Sequence, residues 1–468
     1  MIIGSVWFSL TTLFIVLILM IFLCYKGCSP IWVFIGAAII LALCNGYPVL
    51  NILLGNFLDG AAGFWKNLMF KALTALIFAS FFSAAGAAKA VSGLLEKIVM
   101  LLTKGDKTSA VAKGYAMSTI SVFAMVMCLL GIDSSCAPFI FIPICFSLFK
   151  NLDIPRNYIP GVIIGGVAIA AVAPGSPIFV NTLCCMIFGT KPSSALVPGI
   201  IGAAAMLCLT VWYLMRQGKK ITEKGLHYEE PEKRGSGGGM GGGFSLLFPE
   251  PYVKPVNPIL AFIPLIVLFV VYNFVGLGLE LSNVIAIAVC FILFWKNIFT
   301  LENRKFSFKT TGNALNTSVS SWAPTILLFG CSAGLATVVK LTPAYDVIVQ
   351  FFTNMAQSVG GIFSVAMCSV FSGFLVGNAT QSMYFTSDIF MKNLEAFNLT
   401  APMLHRITTF ACAILDTAPF APSVCVQTVL VGLKLKDTYR HIFVTSVLVP
   451  AVGLILCCLL CGFFPRLA

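Results

Sequence analysis

Long apolar runs separated by short polar segments dominate the sequence. A helix that crosses a membrane needs about 20 consecutive, mostly apolar residues, and many runs approach or exceed that length. Each run predicts an α-helix, because a helix pairs its own backbone groups in lipid, and the alternating pattern of membrane strands is absent. The runs are Val6–Cys24, Ile31–Leu43, Phe70–Ala87, Ile159–Phe188, Val197–Leu214, Pro258–Val275, Ser282–Phe294, Leu315–Val338, Ile407–Leu433 and Ile442–Phe464.

Composition gives the same class. Hydrophobic residues make up 59% of the 468 positions, charged residues only 10%, and the mean hydropathy is +0.98. A soluble domain carries about 25% charged residues. The fold class predicted is therefore an all-α polytopic membrane protein. The first run has no basic segment before it and no small-residue cleavage site after it, which predicts a retained helix rather than a signal peptide.

The net charge of +12 does not indicate a nucleic-acid partner. The basic residues lie between apolar runs, as the positive-inside rule describes, and they place those loops in the cytoplasm with the N-terminus outside. The longest polar stretch, residues 216–256, contains lysines, arginines and a glycine-rich segment, and is predicted to be a flexible cytoplasmic linker. The cysteines show no metal-ligand spacing, so neither a metal nor a cofactor is expected.

Two short motifs recur on either side of this linker, in the same order. Lys-Asn-Leu followed by an acid begins at Lys150 and again at Lys392. Ala-Pro-x-x-Pro begins at Ala173 and again at Ala418. Together they predict an internal duplication whose halves, 1–215 and 257–468, have opposite orientation. Inverted repeats with interrupted helices are typical of secondary transporters, and the interruptions mark the binding site.

Each half contains two predicted interruptions. The first is a polar tip between two apolar limbs, which predicts a re-entrant helical hairpin at about 110–150 and again at about 361–391. The second is the proline pair, which removes backbone donors and clashes with the preceding turn. It predicts a discontinuous transmembrane helix at about 159–188 and at about 403–433.

Broken helices leave unpaired N–H groups and a partial positive charge, and both favour a bound anion. Small polar side chains at the breaks can bond carboxylate and hydroxyl oxygens. The candidate substrate-binding residues are Ser134, Ser135, Gly175, Ser176, Asn181, Thr182, Gly377, Asn378, Ala379, Thr380, Gln381, Ser382 and Thr417.

Two carboxylates, Asp133 and Asp416, lie at breaks. An acid within the membrane is a functional candidate by default, here for coupling to a proton. The alternative is that each caps the N-terminus of a half-helix. Asp388 is expected to face water, and His405 with Arg406 to lie at the membrane surface. Lys66 and Lys71 are expected to extend toward the surface from the ends of a span. The many phenylalanines receive no assigned role.

The chain resembles the gluconate permease (GntP-like) family within the ion transporter superfamily. The residues that carry the resemblance are the tips Gly131–Ser135 and Gly377–Thr380, the break Ala173–Pro177 and the segment Asp416–Pro419. The resemblance implies a homodimeric, proton-driven symporter of small organic anions such as gluconate or another short hydroxy acid, with elevator-like alternating access. The second tip is also similar to those of sodium-coupled dicarboxylate carriers, so the coupling ion, proton or sodium, stays open.

Other classes were weighed. No metalloprotease, nucleophile-elbow or phosphate-loop motif is present in the sequence, which predicts a protein that is not an enzyme. An anion channel also uses re-entrant loops, and a carrier subunit that depends on a binding protein shares the architecture. The preferred prediction is a multi-pass transporter of the bacterial cytoplasmic membrane, whose partners are a small carboxylate, the coupling ion and the lipid bilayer.

Overall fold

The computed structural model describes residues 5–106, 109–130, 132, 134, 137–230, 256–298 and 326–467, and every regular element in these ranges is helical. The helices are α1 (Val6–Tyr25), α2 (Pro30–Cys44), α3 (Val49–Ile52), α4 (Leu58–Ala84), α5 (Ala87–Leu102), α6 (Ala110–Leu129), α7 (Ala137–Asn151), α8 (Ile159–Val172), α9 (Phe179–Phe188), α10 (Leu196–Glu223), α11 (Pro258–Val270), α12 (Leu279–Ile298), α13 (Ile326–Leu341), α14 (Pro343–Ser358), α15 (Gly361–Val376), α16 (Ala379–Phe390), α17 (Ala401–Leu415), α18 (Pro422–Val431), α19 (Leu435–Phe443) and α20 (Val449–Phe463).

These helices confirm a multi-span membrane protein. Within the described ranges, five helices are long and apolar enough to cross a bilayer, and seven if each sharply bent pair counts as one span. One of these five helices extends from α19 through a π-helical turn into α20. Of the predicted run Leu315–Val338, residues 315–325 lie outside the described residues.

Both predicted hairpins and both predicted broken helices are present. α6 and α7 flank the first tip, and α15 and α16 flank the second. α8 ends just before the Ala-Pro-Gly-Ser-Pro break and α9 starts just after it, while α17 and α18 flank the second break in the same way. One detail differs, because α6 has 20 residues and is long enough to span. A limb of a re-entrant hairpin is expected to be too short to cross alone, and α6 does not meet that expectation.

Each half also contains a bend that the hydrophobic pattern did not reveal. Met69–Phe82 and α5 meet at 73°, and α13 and α14 meet at 79°. At the first bend Gly86 has a φ of 78°, a left-handed conformation that glycine adopts without strain. At the second bend Pro343 starts the new helix, since proline is tolerated in a first helical turn but not in a helix interior.

Helices of the two halves contact one another crosswise. α5 of the first half packs on α11 of the second, and α1 packs on α14. Near the breaks, α7 packs on α18, and α9 packs on α16. Such reciprocal pairs are expected of two halves related by an approximate two-fold axis. The opposite orientation of the halves in the membrane stays a prediction.

The beginning of the predicted linker is ordered. α10 continues to Glu223, so the predicted boundary at residue 216 lies inside a helix. The following residues run back across the loop between α7 and α8, where the Asp153 carboxylate accepts from the Tyr228 amide at 2.8 Å and lies 2.6 Å from Nδ1 of His227. We call residues 224–230 the strap. The remainder of the linker, residues 231–255, lies outside the described residues.

A candidate site between the hairpin tips and the broken helices

A cavity of about 160 Å³ lies where the predicted interruptions meet. It is lined by the described part of the first hairpin tip, by the second tip, by α8 and α9, and by the break between α17 and α18. The lining residues are Phe64, Ser134, Pro138, Ile164, Val167, Ala168, Ala171, Phe179, Val180, Phe329, Gly377, Asn378, Ala379, Thr380, Ala413, Asp416, Thr417, Ser423, Val426 and Gln427. We call it the junction cavity.

The second tip packs directly on the second break. Gly377 ends α15 with a φ of 61°, and a Cβ there would meet the Phe420 ring at 3.0 Å and the Ala421 Cα at 3.2 Å. A glycine is therefore needed both for the conformation and for the close approach. The next residue, Asn378, accepts through Oδ1 from the Thr380 amide at 2.9 Å and caps α16. The capped N-terminus of α16 faces the cavity, where its dipole favours an anion.

Asp416 lies at the opposite kind of helix end. It follows the last residue of α17, where the helix dipole is negative and does not favour a carboxylate. The N-cap of α18 is Ala421, which forms no side-chain cap. The alternative role for Asp416, as an N-cap, therefore lacks the required geometry. Ser423 donates to the backbone carbonyl of Asp416 at 3.1 Å and lies 3.4 Å from its Oδ1.

Aromatic rings form part of the apolar wall. Phe64 and Phe329 stack with ring centroids 5.7 Å apart and planes 7° apart. Phe179 contributes a third ring, and α8 presents small aliphatic residues such as Ala168 and Ala171. The cavity thus has an apolar side, and a polar side formed mainly by the second half. Phenylalanine, to which the sequence assigned no role, lines the candidate site.

The equivalent amides of the two halves have different environments. Gln427 is 4% exposed and lines the junction cavity, and its Oε1 has no hydrogen-bond partner among the described residues. Asn181, which follows the first break much as Gln427 follows the second, is fully buried and lies outside the cavity lining. Asn181 donates to the Ser176 carbonyl at 2.7 Å, and its Oδ1 lies 2.8 Å from Nε2 of His405. The duplicated amide is thus structural in one half and available to a ligand in the other.

His405 and Arg406 are buried, so the prediction that they lie at the membrane surface is wrong. Both have no exposed area. Nδ1 of His405 lies 2.5 Å from the Thr190 hydroxyl. Arg406 donates to the carbonyls of Pro192 and Ser194 at 2.9 and 2.7 Å. Burial is tolerated because the end of α8 and the loop between α9 and α10 supply backbone acceptors, a tertiary feature that the local sequence does not show.

Five other predicted site residues lie elsewhere. Ser176 and Ser382 are buried, and Ser382 donates to the Ser369 carbonyl at 2.6 Å, which ties the two limbs of the second hairpin together. Gly175 is exposed outside the lining. Thr182 and Gln381 line a neighbouring cavity of about 520 Å³. Asp133 and Ser135 lie outside the described residues.

The neighbouring cavity, which we call the vestibule, shares Phe64, Phe179 and Thr380 with the junction cavity. Its walls come from α4, α9, α16 and the connection between α11 and α12. The shared rings and hydroxyl place the two cavities side by side.

Across the described residues, no group of three or more histidine, cysteine or acidic side chains is arranged to hold a metal ion. Most of the described cysteines are buried. They fill space as small apolar side chains.

No family model matches the chain. Among curated proteins, the chain is 23% identical over 478 aligned positions to an uncharacterized transporter, YxjC, of Bacillus subtilis (strain 168), and the alignment covers 92% of this chain and 94% of that protein. The crystal structure of the Alcanivorax borkumensis YdaH transporter aligns with 90% of this chain and 90% of its own, at 13% identity and a TM-score of 0.43. The chain is therefore similar over nearly its whole length to a protein named as a transporter.

Proposed function

We propose that the chain is a secondary active transporter of a small organic anion, driven by protons. The observation that carries the proposal is the junction cavity, which is lined at once by both hairpin tips and by both broken helices. Interrupted helices at a repeat interface are where secondary transporters bind substrate and coupling ion. Similarity to a named transporter along 92% of the chain supports the same class.

The size of the junction cavity favours the short members of the carboxylate class. A dry protein cavity of about 150 Å³ holds a benzene molecule, so about 160 Å³ suits a ligand of roughly six to eight non-hydrogen atoms. A monocarboxylate of three to five carbons has this size, whereas gluconate is about twice as large. The apolar wall would contact the carbon chain, and the N-terminus of α16 with Thr380 and Thr417 would face the carboxylate.

Asp416 is the proposed proton carrier. It lines the cavity, and its position at the negative end of α17 makes a permanent charge unfavourable. A carboxyl that binds a proton together with the anion would make the transported pair of proton and anion electrically neutral. A homodimer and an elevator-like movement of the hairpins and broken helices belong to the same proposal and rest on the resemblance to the gluconate permease family.

Uptake by the purified chain in proteoliposomes tests the function. We expect accumulation of radiolabelled lactate or butyrate under an inward proton gradient, without a sodium requirement, and faster uptake when the same acid is present inside. Loss of this trans-stimulation would indicate a channel, and a strict sodium requirement would indicate the sodium-coupled carriers. Gluconate is tested in parallel and, being about twice as large as the favoured acids, should be transported more slowly.

A further inference from the structure

The vestibule contains a lysine that the sequence placed at the membrane surface. Lys71 lies within α4, is half-buried, and lines the vestibule wall. Its Nζ is 5.8 Å from the centroid of the Phe179 ring, a distance at which a cation and an aromatic face attract. The expectation that Lys71 extends to the surface from the end of a span is therefore wrong.

Within the described part of the chain, no direct ion pair neutralises the charge of Lys71. Among the described residues, no carboxylate oxygen lies within 4.0 Å of its Nζ. A half-buried ammonium without a paired acid attracts an anion more strongly than an exposed one, because the surrounding protein lowers the effective dielectric constant. The ring beside it, Phe179, also lines the junction cavity, so the charge lies at the boundary between the two cavities.

Two carboxylates, Asp59 and Glu280, also line the vestibule. Asp59 is exposed and Glu280 is half-buried. With one cation and two acids in its lining, the vestibule accommodates a single negative charge at Lys71, whereas a second charge on the same ligand would meet repulsion.

We infer that the vestibule is a staging site for small monocarboxylates, in which the ligand carboxylate pairs with the Lys71 ammonium before passing Phe179 into the junction cavity. The inference rests on the proposed function in taking the transported anion as the ligand. Asp59 and Glu280 disfavour dicarboxylates at the same site.

A charged thiol reagent tests the site without knowledge of the substrate. Met186 lines the vestibule and is 70% exposed, so Met186→Cys provides a reporter thiol in the full chain. Purified protein is treated with an anionic (sulfonatoethyl), a cationic (trimethylammonioethyl) or a neutral (methyl) methanethiosulfonate, and the reaction rate at position 186 is read by peptide mass spectrometry. The neutral reagent reports access alone, so the anionic-to-neutral rate ratio reports the local charge.

We expect Lys71→Gln to lower the anionic-to-neutral ratio roughly twofold to fivefold, the effect of one unit charge at about 8 to 4 Å in a water-like medium, and to raise the cationic-to-neutral ratio. Lys71→Arg should keep both ratios. Lys66→Gln is the matched control, because Lys66 lies on the same helix but is exposed and outside the vestibule lining. Asp59→Asn combined with Glu280→Gln should raise the anionic ratio.

An unchanged ratio in Lys71→Gln, or an equal fall in Lys66→Gln, overturns the inference. A fall in the neutral rate itself would show a structural change, and Lys71→Arg then carries the comparison. Labelling is independent of uptake. If Lys71→Gln changes the labelling ratio but no carboxylate uptake is found, the anion site in the vestibule is supported. The proposed transport function is then rejected.

Discussion

Arg406, on α17 of the second half, donates from Nη1 to the carbonyl of Val172, the last residue of α8 in the first half, at 2.8 Å. A cation at the carbonyl end of a helix also matches the negative end of its dipole. A second arginine crosses in the other direction, since Nη1 of Arg156 in the first half donates to the carbonyl of Val431, the last residue of α18, at 2.8 Å. The two halves are thus joined by two arginines, each of which donates to the carbonyl end of a helix in the other half.

Replacing Arg406 should destabilise the protein. Arg406→Met removes the donor to the carbonyls of Val172, Pro192 and Ser194, and buried acceptors without partners are expected to cost about 2–4 kcal/mol in total. Thermal unfolding in detergent measures the change. The matched control is Arg466→Met at an exposed arginine, which should unfold at the wild-type temperature. Equal midpoints for both variants would contradict the structural role of Arg406.

Asp416→Asn should abolish the pH dependence of uptake while ligand binding is partly retained. The amide has the shape of the carboxyl but cannot take up and release a proton. Initial uptake rates in proteoliposomes across a series of pH values measure this. Asp388→Asn is the control, because the Asp388 carboxylate is 58% exposed and paired with Lys340 at 3.6 Å. Wild-type pH dependence in Asp416→Asn would reject the proton-carrier role.

Gln427→Leu and Asn181→Leu should separate binding from stability. Gln427→Leu is expected to weaken binding of the transported acid roughly tenfold, the cost of about one hydrogen bond, with little change in the unfolding temperature. Asn181→Leu should instead lower the unfolding temperature, because it leaves His405 and the Ser176 carbonyl without their partner. Thermal unfolding without ligand measures stability, and the shift on adding ligand measures binding. The same pattern in both variants would show that the two amides have not diverged.

The strap should stay attached across the neutral range of pH. Partial burial raises the pKa of the Asp153 carboxyl, but the bonds from Tyr228 and His227 and the charge of Lys113 outweigh it, so the pKa lies below its usual value. A lowered carboxyl pKa stabilises the folded state above the unfolded pKa of about 3.9, and this stability is lost as the pH falls through the folded pKa.

Hydrogen exchange at the Tyr228 amide measures strap attachment. After correction for the intrinsic rate, its protection should be constant from about pH 8 to pH 5 and fall only below about pH 4. Asp153→Asn should reduce the protection at neutral pH, because it weakens the attachment to His227 and Lys113. Asp437→Asn, at an exposed acid on α19, should leave it unchanged. A gradual loss of protection between pH 8 and pH 5 in the wild type would contradict this account.

Features encoded by neighbouring residues could be predicted from the sequence. The proline pairs place the ends of α8 and α17 within a few residues, and the Gly-Asn tip places the turn between α15 and α16, since proline and glycine act on their own backbone. The contribution of both tips and both broken helices to one site could also be expected, because duplicated interruptions in a repeat are expected to converge.

Features that depend on partners from distant parts of the chain could not be predicted from the sequence. His405 and Arg406 look like surface residues in the sequence, and only partners from the first half, more than 200 positions away at the end of α8, on α9 and in the loop after it, make their burial favourable. Likewise, Asn181 and Gln427 each follow one of the two proline breaks, eight and nine residues after its alanine, and the presence of His405 beside one of them decides which amide is left for a ligand.

The sequence by itself therefore determined that this is a helical membrane protein with duplicated hairpins and broken helices, because apolar length and proline chemistry are local properties. Tertiary structure alone decided which polar residues face the cavity and which satisfy the broken backbone, and it moved Lys71 from an expected surface position to the vestibule. The reason is physical. A polar group buried in such a protein takes whichever partner the packing brings within hydrogen-bond distance, and those partners come from the other half of the chain.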